Sequence, residues 1–197
     1  MQHQCTLSEV RNLRENQGLR HSGKRVVRII IGGAILFNIA SVVCDADDDS
    51  SLTRPSLKGL RGFSVEARSA NERSDLLEIS SDQLTTDVEL KLRKTGIQVL
   101  PSNRALKDGG AFLSISLTLV SPKESPDLFA FHLEMSVDQI VAPMLRPDTP
   151  GLASTWSVGS TGIVTRARVR AIRDQLSDLT DQFLNAYLAV NPRKSSQ

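Results

Sequence analysis

Two consecutive segments of this 197-residue chain alternate buried-type and surface-type residues with a period of two. In 112–120 and 128–137 every second residue is Leu, Ile, Phe, Met or Val, and those between are mostly Ser, Thr, Ala, His or Glu. Such alternation is typical of antiparallel strands that bury one face only. The connecting SPKESPD turn predicts a hairpin, and the slip of the period at Asp138-Gln139 predicts a bulge or a strand end.

Two amphipathic helices supply a layer that can cover the buried face. The first is predicted over Ser81–Thr95, between a capping box of Ser80 with Gln83 and a left-handed stop at Gly96. The second has an apolar stripe that steps by three and four residues: Val169, Ile172, Leu176, Leu179, Phe183, Ala186 or Tyr187, and Val190. It ends at Asn191-Pro192.

Shorter patterns predict three more strands, at Gly62–Ala67, Ile97–Leu100 and Ala153–Val158. Pro143–Gly151 is interpreted as a loop, and Gly159–Gly162 (GSTG) as a turn. The element order is then β-α-β-β-β-β-α. We therefore expect an α+β two-layer sandwich, with a mostly antiparallel sheet of about five strands and two helices on one face.

The first 46 residues differ in composition from the rest. Residues 1–28 carry six basic and two acidic side chains, whereas residues 47–197 carry 18 basic and 19 acidic ones. Between these parts, 29–43 is an apolar run, followed by the small-x-small site Cys44-Asp45-Ala46. This is the plan of a secretory signal peptide. Residues 1–46 are thus interpreted as a signal peptide cleaved after Ala46, or as an uncleaved N-terminal membrane anchor.

The same segment leaves three alternatives open. The true start lies downstream of Met1, or Cys44 is lipidated although Val43 departs from the lipoprotein pattern, or 29–43 is a buried helix of the body. Cleavage after Ala46 would leave no cysteine, and hence no disulfide. The remainder divides by composition into a linker at 47–56, the α+β domain at 57–192 and a disordered tail at 193–197.

Catalytic groups are scarce in the body. His132 is its only histidine, beside Glu134 on the polar face of a strand, and this pair could act as a general base with its orienting carboxylate. No nucleophile or second ligand is spaced to join it. The acidic run 45–49 lacks the glycine and distal Glu of a calcium loop, and the glycine pairs lack the lysine of a P-loop. We expect no catalytic residue, no metal, no cofactor and no enzymatic activity, a hydrolase using His132 and Glu134 being the weaker alternative.

Four arginines form the one candidate binding site: Arg166, Arg168, Arg170 and Arg173. Their spacing places Arg166, Arg170 and Arg173 on one side of the first turns of the C-terminal helix. Cations at a helix N-terminus oppose the helix dipole. The four arginines are interpreted either as a contact for an acidic partner, anionic lipid or phosphate, or as a solvated face of the helix. Trp156 is interpreted as a core residue. We do not expect a nucleic-acid partner, because residues 47–197 carry no excess of basic side chains.

Three segments resemble a class of uncharacterised bacterial envelope proteins, secreted or membrane-anchored, with a small α+β domain: Thr86–Leu100, Ser154–Gly159 and Asp178–Pro192. The resemblance spans roughly 57–192. It implies an exported or inner-membrane-anchored protein with its body in the periplasm or extracellular space. We expect a non-enzymatic binding or assembly-accessory protein with a protein partner in the cell envelope. The alternative is an anion-, lipid- or phosphate-binding module that uses Arg166–Arg173. Either function is compatible with a homo-oligomer.

Overall fold

The computed structural model describes residues 44–47, 49–70 and 79–192. The predicted signal or anchor up to residue 43, and the predicted tail at 193–197, lie outside the described residues. The strands are β1 (Cys44–Asp47), β2 (Gly62–Ala70), β3 (Gln98–Val99), β4 (Ala111–Val120), β5 (Leu128–Val141) and β6 (Gly151–Thr165). The helices are α1 (Ser81–Lys94) and α2 (Ala171–Val190). Within these ranges, no helix combines the length and the apolar composition that a membrane span requires.

A single mixed sheet joins the strands in the order β1-β6-β5-β4-β2-β3. The pairings β1–β6, β6–β5 and β5–β4 are antiparallel, whereas β2 runs parallel to both β4 and β3. The parallel pairing follows from α1, since a strand–helix–strand crossover returns the chain in the same direction. The predicted α+β fold, with the order β-α-β-β-β-β-α from β2 to α2, is confirmed.

Both helices lie against one face of the sheet. At the start of α1, Ser80 Oγ accepts a hydrogen bond from the Gln83 N–H (3.1 Å), and Gln83 Oε1 accepts one from the Ser80 N–H (3.2 Å). Gly96 ends the helix with φ +74°, as the sequence predicts. The alternating residues of β4 and β5 are buried beneath the helices, and their neighbours are not.

Aromatic rings fill the space between α2 and the sheet. Phe183 of α2 meets Phe63 of β2 and Trp156 of β6 edge to face, with ring centroids 5.0 and 5.4 Å apart. The Tyr187 hydroxyl donates to the Leu60 carbonyl at 2.6 Å, and burial raises the pKa of this phenol. Edge-to-face pairs add to the hydrophobic stabilisation of the rings. Trp156 is thus a core residue, as expected.

The predicted turn at Gly159–Gly162 is wrong. These residues lie inside β6, which continues to Thr165 and pairs with β5 without interruption from Trp156 onward. Gly159 lies between Glu134 of β5 and Ala46 of β1, and Gly162 lies opposite Phe131. Glycines within a strand mark a close approach of other groups as well as turns, and local composition does not distinguish the two.

The segment interpreted as a linker contacts the core at Asp49. The Asp49 carboxylate accepts hydrogen bonds from the Arg54 guanidinium (Nε–Oδ1 2.8 Å) and from Trp156 Nε1 (3.1 Å). Arg54 begins a short 3-10 turn that ends at Leu57, whose side chain is fully buried. The hydrogen bond from Arg54, together with that from Trp156, outweighs burial and lowers the pKa of Asp49 below its usual 3.8.

Asp49→Asn should therefore destabilise the domain in a pH-dependent way. A carboxyl whose folded-state pKa is lowered stabilises the fold above its unfolded pKa, and the effect disappears as pH falls through the folded value. We expect a loss of about 1 kcal/mol at pH 7, since Arg54 is partly exposed. The difference from wild type should shrink progressively as pH falls below 3.8. Urea unfolding across this pH range measures the effect, with Asp148→Asn in an exposed loop as the control. A stability difference that does not change with pH would contradict the lowered pKa of Asp49 in the folded state.

Candidate functional site

The face of the sheet opposite the helices is uncovered in the described residues and is called here the open face. Its side chains in β4, β5 and β6 are Ser114, Ser116, Thr118, Val120, Ala130, His132, Glu134, Ser136, Ser157, Thr161 and Ile163. The middle of this face carries hydroxyl groups and the His132–Glu134 pair. One end carries three cross-strand neighbours, Val120, Ala130 and Ile163, all exposed. These three residues are called the apolar row.

His132 lies near the middle of the open face. Its Nδ1 is 2.9 Å from Thr161 Oγ1, and its Nε2 is 3.9 Å from Glu134 Oε2. A hydroxyl, an imidazole and a carboxylate in sequence are the components of a nucleophilic triad. Here, however, both His132 and Glu134 are nearly half exposed on a flat sheet. The arrangement orients the imidazole, but the flat surface encloses no substrate.

Metal-binding side chains are not clustered in the described part of the chain, where no group of three His, Cys, Asp or Glu is placed to hold an ion. Asp138, at the edge of the hydroxyl-rich middle, accepts a hydrogen bond from Ser114 Oγ at 2.6 Å. In the described residues the open face is thus a surface of hydroxyl, imidazole and carboxylate groups.

The predicted placement of Arg166, Arg170 and Arg173 on one side of the first helical turns is wrong, because α2 begins only at Ala171. Arg166–Arg168 form a 3-10 turn, Arg170 is the N-cap of α2, and only Arg173 lies within the helix. Arg166 Nε donates to Asp127 at 2.9 Å, and its guanidinium lies 5.5 Å from the Phe129 ring centroid.

Arg173 has a different partner, because it donates to both oxygens of Asp87 in α1 at 2.8 and 2.9 Å. The two arginines thus hold different elements in place, one at the β4–β5 turn and one between the helices. Binding of an anionic partner by Arg166, Arg168, Arg170 and Arg173 stays a prediction.

A projecting hairpin, called here the arm (residues 138–154), extends β5 and β6 beyond the rest of the sheet. Its strands carry Ile140 and Leu152, which face each other across the ladder and are both exposed. Its tip consists of Met144 and Leu145, which are 98% and 96% exposed. Two adjacent, fully solvated apolar side chains are unusual on a soluble domain and are typical of a contact surface.

Hydrogen bonds hold the arm at its base and near its tip. The register shifts between Val137 and Asp138, where β6 carries Thr155 as an extra residue, which confirms the predicted bulge. Gln139 Nε2 donates to Thr155 Oγ1 at 2.6 Å and to the Ser56 carbonyl at 3.1 Å. In the tip, the Arg146 N–H donates to the Pro143 carbonyl at 3.0 Å. The arm is thus presented in a defined conformation.

A shallow cavity of about 300 Å³, called here the end cavity, lies at the opposite end of β5. It is lined by Ser125, Pro126, Asp127, Leu128 and Thr165. A second depression of about 230 Å³ lies between α1 and α2, where Lys91 Nζ donates to Asp181 and to the Ser177 carbonyl, both at 2.7 Å. Lys91 and Arg173 both have acidic partners there, and Lys94 also lines this second depression.

Sequence reasoning misses the arm tip as a functional feature. It assigns the segment to a Pro-rich loop, which is correct for the backbone. The signal that could identify the tip is the Met144-Leu145 pair between Pro143 and Pro147, since a loop that serves only as a connection rarely exposes two large apolar residues.

No protein-family model matches the chain, and no curated protein matches it in sequence. Among solved structures, the chain is similar to a point variant of PelC from Paraburkholderia phytofirmans, which is a dodecamer. The match has a TM-score of 0.39 and 13% identity, and covers 74% of this chain and 96% of the PelC chain.

Proposed function

We propose that this chain is a non-enzymatic binding protein of the bacterial envelope, whose contact element is the arm and the adjoining open face. The observation that carries this proposal is the exposure of Met144 and Leu145 at the tip of a hairpin fixed at its base. A solvated apolar pair is unfavourable unless a partner covers it. Exposure of the arm tip therefore costs free energy in the unbound chain, and binding of a partner removes that cost.

A protein partner fits the arm better than an anionic membrane. Residues 138–154 carry two acidic side chains, Asp138 and Asp148, against the single cation Arg146. Anionic lipid attracts clusters of several cations and repels acidic side chains. An apolar anchor with a mixed polar rim is the usual composition of a protein–protein contact.

The absence of enzymatic activity and the envelope location are parts of the same proposal. The hydroxyl–imidazole–carboxylate arrangement of Thr161, His132 and Glu134 lies on a flat, exposed sheet, whereas catalytic groups gain most from a water-excluding pocket. The location rests on the basic flank and apolar run that precede Cys44.

A photo-reactive amino acid at position 145 should crosslink the full-length chain to a protein in the envelope fraction of its native host. The same residue placed at position 52, where Leu52 is also strongly exposed, is the matched control and should form no adduct. Met144→Ser should leave the melting temperature unchanged, since the side chain is almost fully exposed, and should reduce the adduct at position 145 roughly fivefold, as expected when one anchor side chain of a contact is lost. Equal crosslinking at positions 52 and 145, or an adduct found only in the cytoplasmic fraction, would contradict the proposal.

A further inference from the structure

We propose that two copies of this chain pack open face against open face about a two-fold axis, with each arm tip seated in the end cavity of the other copy. This inference rests on the proposed function, because it names the partner of the arm as a second copy. A two-fold contact is self-complementary, so each element must find its counterpart elsewhere on the same face. The apolar positions at the two ends of β5 meet that requirement.

Exposed apolar side chains lie at both ends of the open face. The apolar row crosses β5 at Ala130, and the exposed pair Ile140–Leu152 crosses it ten residues later. Ten residues of strand span about 33 Å. With the two-fold axis across the strands at the middle of β5, the copies run antiparallel, and the Ile140–Leu152 pair of each lies over Ala130 and Ile163 of the other. A single register thus covers these four apolar side chains of each copy, whereas Val120, on β4, lies beside the contact.

The same register brings each arm tip to the end cavity. Leu145 follows Ile140 by five residues, and Ser125 precedes Ala130 by five. Leu145 and Ser125 lie in the turns at the two ends of β5, so this register places the tip of one copy at the cavity lined by Ser125, Pro126 and Leu128 of the other copy. The volume of about 300 Å³ is at the lower limit of ligand pockets, which suits two side chains better than a small molecule.

Charges are complementary in this arrangement. His132 lies over Asp138 of the second copy, and Glu134 lies over the Ser136 hydroxyl. Arg146, next to the tip, lies near Asp127 of the second copy, which pairs with Arg166 of its own copy at 2.9 Å but remains 80% exposed. Opposite charges or a hydrogen-bonding pair meet at each of these positions, and such complementarity sets the register of a contact.

The size and side chains of the open face suit such packing. Stacked sheets keep their strands within about 30° of each other, and Ser, Ala and Gly side chains allow them to approach closely. Three strands about 33 Å long, together with the two arms, bury on the order of 1,000 Å² in total, which is the lower limit for a specific protein–protein interface.

Disulfide crosslinking between two single-cysteine variants tests this register. The full-length chain with Cys5→Ser and Cys44→Ser is prepared in one batch with Leu145→Cys and in another, differently tagged batch with Ser125→Cys. Mixing and oxidation should yield the mixed 145–125 disulfide roughly tenfold above either homotypic product, because a disulfide forms only between closely placed Cα atoms. Within one copy the two positions lie at opposite ends of β5, beyond the reach of a disulfide.

A variant that carries both Leu145→Cys and Ser125→Cys in one chain distinguishes a closed dimer from an open chain of copies. A two-fold dimer forms two disulfides and stops at the covalent dimer, whereas a head-to-tail contact yields a ladder of larger products. A 145–145 product, a ladder, or a monomer with no disulfide would overturn the dimer. If position 145 then crosslinks to a different protein, the proposed function stands without the dimer. If neither experiment gives a product, both proposals fail.

Discussion

Gly110→Ala should lower the free energy of unfolding by about 3 kcal/mol or more, the upper part of the range for overpacked sites. A Cβ at this position would lie 2.5 Å from the Gly62 carbonyl oxygen and 2.6 Å from Leu100 Cδ1. Two of the nearest three atoms belong to backbone carbonyls, those of Gly62 and Ala105, so no side-chain rotation relieves the contact. The Gly110 N–H also donates to the Ala105 carbonyl at 2.8 Å, and displacement of the backbone would break this bond.

Urea unfolding measures the effect, and Gly151→Ala is the matched control. A Cβ at Gly151 meets no atom within 4 Å, so we expect a change within about 0.5 kcal/mol. Identical urea midpoints for the two variants would show that the chain approaches less closely at the start of β4 than this structure indicates.

Phe183→Asp should unfold the domain, or lower its stability by roughly 4 kcal/mol or more. The ring of Phe183 is fully buried and contacts Phe63, Trp156 and Tyr187. The substitution removes these contacts and places an unpaired carboxylate in the core. A typical domain is stable by about 5–15 kcal/mol, so this loss removes a large part of the total.

Gln182→Asp introduces the same side chain one residue earlier, on the exposed face of α2. It should melt within a few degrees of wild type, because its carboxylate remains in water. Circular dichroism of both variants against temperature makes the comparison. A wild-type-like transition for Phe183→Asp would mean that α2 does not cover the sheet.

The fold is largely predictable because its signals are local. Ser80 with Gln83 marks the start of α1, and the alternation in β4 and β5 marks both strands and their covered face. The prediction fails at Gly159 and Gly162, where glycines that accommodate neighbouring groups resemble those of a turn. The sequence also does not reveal the parallel pairing of β2 with β4, because strand order depends on contacts between distant residues.

The candidate site is less predictable for a related reason. The arginines are conspicuous through their spacing, but helical spacing has no meaning before a helix begins, and α2 begins only at Ala171. The ion pairs of Arg166 with Asp127 and of Arg173 with Asp87 join residues 39 and 86 positions apart. Exposure is likewise a property of the whole fold: the Met144-Leu145 pair within a Pro-rich loop is a hint in the sequence, but its almost complete exposure is established only by the folded chain.

If residues 1–46 are a signal peptide cleaved after Ala46, as proposed, the pairing of β1 with β6 would link folding to that cleavage. Cleavage after Ala46 would cut inside β1 and leave only Asp47 of its four residues, opposite Val158. A strand already held in a sheet cannot enter a protease cleft, so folding and cleavage compete for the same residues. A chain cleaved first would expose the backbone of Val158–Thr161 as an edge able to accept a strand from another molecule. A chain folded first would keep that edge covered and stay uncleaved, so under the proposed cleavage its timing would set which edge the protein presents.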